Sequence, residues 1–118
     1  MIEVTEVSIA HLRAALESGQ TTAVELVQAY LAREGLSFDD IDLVLLHQGS
    51  RFIVDNLGRK LGLRPEKAPF EAGLLGNTVS STLPLMLEPR LAAPPARILL
   101  CGFGVGLSWA TMAIECVS

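Results

Sequence analysis

The stretch LVLLHQGSRF, residues 43–52, decides how this chain is read. Four apolar residues run into an imidazole and an amide, and then into glycine and serine. A short continuous apolar run bounded by turn residues reads as a buried strand. Ser50 can then cap a helix over residues 51–61, with Ile53, Val54, Leu57 and Leu61 on its inner side and Gly62 as its stop. His47 therefore stands where a buried strand meets a helix N-terminus, the usual place for ligand sites in open α/β sheets. By itself it is either a satisfied core histidine or a catalytic one.

Outward from this stretch, helical and strand patterns alternate. Upstream, Ile9, Leu12 and Leu16 recur at helical spacing over residues 7–16, and Gly19 breaks the pattern. A second helix over 21–33 carries Val24, Val27 and Leu31 on one stripe, with Gly35 as its stop. Ser37 and Asp40 form a capping box for one short turn, and the strand is expected over 41–46. Downstream, residues 68–72 are a weak strand candidate and GLLGN a loop. A helix over 78–87 should kink or start late, because Pro84 deletes the bond its N–H would give Ser80. EPRLAAPPA is a Pro-rich connection, 97–101 a strand, GFGVG a glycine turn and 107–117 a final strand. The expected class is α/β, a mixed β-sheet with helices packed on it. One domain is expected over 1–118, with a helix pair at 1–35 and the remainder at 36–118.

Composition excludes several functions. Half of the chain is apolar, mean hydropathy is +0.43 and only 19% is charged, below the roughly 25% usual for soluble domains. No apolar run approaches the roughly 20 residues that cross a bilayer, so no membrane role is expected. The apolar excess must be covered by protein, internally or against a partner. A net charge of −4 with scattered basic residues argues against nucleic acid. MIEVTEVS resembles no secretory leader, which points to the cytoplasm. Cys101 and Cys116 sit singly in apolar runs and read as two reduced core thiols; no metal-ligand spacing and no cofactor motif is seen. GFGVG lacks the spacing and the following helix of a dinucleotide fingerprint.

Asn77, in LLGNTVSS, comes at another loop-to-helix junction. It is either an ordinary cap or a second donor toward the crevice at His47. A neutral imidazole and a carboxamide together could polarise a carbonyl.

Three segments, DDIDLVLLHQGS, LLGNTVSSTLPLML and ILLCGFGVGLSWATMAIE, taken together resemble the C-terminal half of 3-oxoacyl-(acyl carrier protein) synthase III, a thiolase-fold condensing enzyme. The resemblance runs from about residue 20 to the end and implies a thiolase-like half. It implies that His47 and Asn77 belong to a Cys-His-Asn triad, and that the turn of Phe103, Gly104, Val105 and Gly106 borders the acyl site, with Val105 N–H in an oxyanion hole. Asn77 favours this branch over the Cys-His-His elongating synthases and the Cys-His-Cys thiolases. The implied reaction is decarboxylative condensation of an acyl thioester with malonyl-carrier protein, in fatty acid or polyketide synthesis. The implied partners are acyl carrier protein or coenzyme A thioesters.

Departures from that family pattern matter. The family's nucleophilic cysteine lies in an N-terminal half with no match here, so the expectation is a chain inactive alone. It would join either that missing half or a second copy of itself as a homo-oligomer. HQGS stands where the family reads HQAN, so Ser50 replaces an Asn that helps bind pantetheine or coenzyme A. Arg51 lies one position from where the family places a carrier-protein contact. Residues 7–34 also resemble the N-terminal helices of amidase-signature enzymes, without their Ser-Ser-Lys region. The rival function is a non-catalytic thiolase-fold interaction or dimerisation module.

Overall fold

Ser8 and Thr22 start the two helices of the first part of the chain. In the computed structural model, which describes residues 7–104 and 109–117, the chain divides into two compact units, Met1–Asp40 and Ile41–Ser118. In the first, α1 (Ile9–Glu17) follows Ser8, whose Oγ accepts from His11 N. α2 (Ala23–Arg33) begins with a full capping box: Thr22 Oγ1 accepts from Glu25 N, and the Glu25 carboxylate accepts from Thr22 N. The hydrogen bonds from Thr22 hold the Glu25 carboxyl below the usual carboxylate range. Gly35, at φ +70°, closes α2 in the left-handed region. Val27 and Leu31 are buried as the α2 stripe requires, but in α1 it is Ala15 that is buried, while Ile9 is 83% exposed. Periodicity establishes a helix; it does not establish that something covers the apolar stripe. The turn at Phe38–Asp40 keeps only half of its expected box: Ser37 N and Ser37 Oγ both donate to Asp40 Oδ2.

The second unit is built on a three-stranded sheet of β1 (Leu43–Leu46), β2 (Arg97–Phe103) and β3 (Trp109–Glu115), in the order β1-β2-β3. β1 pairs parallel with β2, from Leu43↔Ile98 to Leu46↔Cys101, and β2 pairs antiparallel with β3. The mixed α/β sheet is thus as expected. β1 begins at residue 43, not 41; just before it, Asp42 N donates to Arg97 O and the Asp42 carboxylate accepts the Arg97 N–H. β2 runs two residues beyond its expected end, since Gly102 and Phe103 still pair with Ala110 and Trp109. The glycine turn therefore starts later than GFGVG suggests.

α3 (Arg51–Lys60) is capped by Ser50 Oγ, which accepts from Ile53 N at 3.2 Å, and stops at Gly62, φ +69°. Residues 68–72 do not form the expected strand. Pro69 has no N–H to give a ladder, and the segment is held beside β1 by Val44 N donating to Lys67 O and by the Gln48 side chain. The helix expected over 78–87 starts late: a 3-10 turn (Val79–Ser81) precedes α4 (Thr82–Leu87). Pro84 then falls in the first turn, where a helix N–H has no internal partner to lose. Met86, with Leu83 and Leu87, packs on the sheet face formed by Leu43, Leu45 and Ile98.

Candidate functional site

The parallel pairing of β1 and β2 carries the chain one step past the strand, where His47 N donates to Cys101 O at 2.8 Å. The half-buried His47 ring meets the Phe103 ring edge-on, with centroids 5.2 Å apart and an interplanar angle of 83°. Two residues 56 positions apart in the sequence (103 − 47) are thereby brought together at one end of the sheet. A Cβ on Gly49 would lie 3.7 Å from His47 Cδ2, an ordinary contact, so the glycine is not needed for room.

Gln48 faces the opposite way and is 1% exposed. Its Nε2 donates to Leu46 O at 2.8 Å and to Pro69 O at 3.3 Å, and its Oε1 accepts from Glu71 N at 2.7 Å. Sequence reasoning gave this residue no role. The signal was an amide closing an apolar run, because a buried carboxamide must find partners for both ends.

Asn77 is exposed and does not cap a helix. It forms an Asx turn, its Oδ1 accepting from Val79 N at 2.9 Å, and Val79 sits at φ +55°. Nδ2 has no partner among the described residues, and no hydrogen bond joins Asn77 to His47. Gly76, at φ +69°, donates its N–H to Ala72 O and closes the turn that precedes Asn77. A cavity of about 100 Å³ is lined by Gln48, Gly76 and Thr78, the chain neighbours of His47 and Asn77, with Leu75, Leu85 and Met86 among its apolar walls.

The remaining expected site residues are dispersed. Gly104 is exposed, and Val105 and Gly106 lie outside the described residues. The Ser50 hydroxyl is engaged as the α3 cap. The Arg51 guanidinium stacks over Phe70 at 4.4 Å from the ring centre, a cation–π contact. Glu71 receives two hydrogen bonds from Arg90, which also donates to Met86 O, and this pairing holds the Arg90 charge more firmly than usual. Cys101 is 1% exposed; burial pushes its thiol up to about 11, against a weaker opposing pull from the Thr111 hydroxyl at 3.8 Å. That environment opposes the thiolate a nucleophile requires. Among the described residues, no group of three or more His, Cys, Asp and Glu could hold a metal ion, and no helix is long and apolar enough to cross a membrane.

Residues 31–116 match the family described as 3-oxoacyl-[acyl-carrier-protein (ACP)] synthase III C terminal. The beta-ketoacyl-[acyl-carrier-protein] synthase III of Synechocystis sp. is 34% identical over 95 residues, covering 77% of this chain and 29% of the relative. That of Streptococcus suis is 32% identical over 109 residues, covering 87% of this chain and 34% of the relative. The chain thus spans about a third of the length of such relatives. A crystal structure of 3-oxoacyl-(acyl-carrier-protein) synthase III superposes with a TM-score of 0.73 at 36% identity, over 89% of this chain and 31% of that one. The corresponding enzyme of Pseudomonas aeruginosa PAO1 gives a TM-score of 0.70 at 26% identity, over 96% of this chain and 38% of that one. A likeness of that extent takes in the N-terminal helix pair, and the amidase-signature resemblance of residues 7–34 finds no support.

Proposed function

The chain belongs to the family of 3-oxoacyl-[acyl-carrier-protein] synthase III C-terminal regions, and from that premise we propose that it supplies the histidine and asparagine of a condensing site. In this reading a malonyl thioester loses carbon dioxide to leave an enolate. The enolate carbon then attacks an acyl thioester held on a cysteine, and the thiolate leaves. Donors from His47 and Asn77 offset the negative charge growing on the enolate oxygen, an effect of about 3 to 4 kcal/mol for one well-placed donor. The observation that carries the reading is the edge-on meeting of His47 with Phe103 at one end of the sheet, which supports the glycine turn after Phe103 as a border of the site.

The nucleophilic cysteine comes from another segment, since burial disfavours ionisation of Cys101. Leu74, 99% exposed, and Val79, 71% exposed, flank Asn77 with apolar surface that such a segment would cover. The acyl donor and the extender arrive on acyl carrier protein or coenzyme A. A direct test grafts this chain in place of the matching region of the Synechocystis relative and measures malonyl-dependent condensation. His47→Ala or Asn77→Ala in the graft should lower kcat about 10² to 10³-fold. Undiminished turnover with either substitution would remove that residue from the mechanism.

A further inference from the structure

We infer that Gln48 is a positioning residue that sets the placement of Asn77 relative to His47. The inference rests on the condensing-site reading for its purpose, but not for its geometry. His47 and Gln48 are chain neighbours with opposite tasks: the imidazole packs on Phe103, and the amide turns into the protein. The amide satisfies three backbone groups at once, at Leu46, Pro69 and Glu71. Leu46 precedes His47, so one of these bonds fixes the exit of the chain from β1. The other two fix the segment where a strand would otherwise run. Pro69 cannot donate to a ladder, and Gln48 Oε1 receives the Glu71 N–H instead.

From Glu71 the path to Asn77 is short and closed. Ala72 O accepts from Gly76 N at 2.8 Å, making a turn with Glu71 at one end and Asn77 at the other. Among the described residues a hydrogen-bonded route between the two donors therefore runs from His47 through Gln48 and Glu71 to this turn. A second clamp, Arg90 on Glu71 and on Met86 O, ties the same segment to α4. The Arg90 clamp holds the Glu71 side chain, whereas Gln48 holds its backbone, so neither replaces the other. Gln48 also walls the cavity beside Gly76 and Thr78, which flank Asn77.

The test needs no turnover and uses the whole 118-residue chain, with amide exchange and side-chain signals followed by NMR. Gln48→Met keeps the shape and removes all three bonds. Exchange at Glu71 N–H should quicken roughly tenfold and the Asn77 Nδ2 signals should shift, while the Leu99 amide of β2 stays protected. Gln48→Glu gives a pH readout that mere filling of space would not. Protonated, the carboxyl can still donate to Leu46 O or Pro69 O and accept from Glu71 N–H. Ionised, it faces two carbonyl oxygens with no proton to offer. Parent-like Asn77 signals should therefore return at low pH and vanish as pH rises. Unchanged Glu71 exchange and Asn77 signals in Gln48→Met would overturn the assignment. So would pH-independent signals in Gln48→Glu, which decides the matter alone if the Met variant does not fold. Failure of the condensing-site reading would appear elsewhere, as undiminished turnover of the His47→Ala graft.

Discussion

Cys101 sits on β2 opposite Leu46, and its environment fixes what it can do. Its thiol ionises only near 11 in the fold, against an ordinary value of 9.0, chiefly through burial. The folded state thus holds the proton more tightly than the unfolded chain. The associated stability is whole below about pH 9 and is lost as pH rises through about 11. At pH 8 a maleimide should leave Cys101 unmodified in the native chain and label it in urea, as read by peptide mass spectrometry. Rapid native labelling would contradict a buried, protonated thiol. The isolated Cys in an apolar run already implied this. Asn77 was less legible. Its Asx turn depends on Val79 taking a left-handed conformation, which a β-branched residue rarely adopts and no pattern announces.

Helix starts and stops were readable because their causes are local. Ser50 caps α3, and Gly35 and Gly62 close α2 and α3 with positive φ. Ser50→Ala should cost about 1 kcal/mol in urea unfolding. Ser50→Asn should cost little, because asparagine caps as well. If the alanine variant were as stable as the parent, the hydroxyl would be free for substrate and its capping role would be void. The element boundaries that went astray had distant causes. Residues 68–72 look strand-like in hydrophobicity, but the groups holding them belong to β1 and Gln48. Gly102 and Phe103 look like part of a turn, yet Ala110 and Trp109 extend the ladder over them. The Thr22–Glu25 box is local as well, and it supports α2 from within its own first turn.

For the whole chain, an apolar composition with little charge called for protein cover. Leu74, Leu75 and Val79 remain exposed around Asn77, as does Met112 on β3. Self-association should follow: sedimentation at micromolar concentration should give a dimer or larger species, and a monomer would show that this surface tolerates water. The sequence conveyed the class of fold and the end of the sheet where His47 stands, because both follow from short-range pattern. It could not convey how far apart in the chain the sheet finds its partners. Phe103 meets Trp109 six positions on (109 − 103), whereas Leu43 meets Ile98 across 55 (98 − 43). Closing the longer loop costs about 2 kcal/mol more in chain entropy. The β2–β3 hairpin is therefore the early-forming piece, and β1 docks after it. The strand that ends in the imidazole would then complete the sheet, so the end at which His47 stands exists only once all three strands are in register.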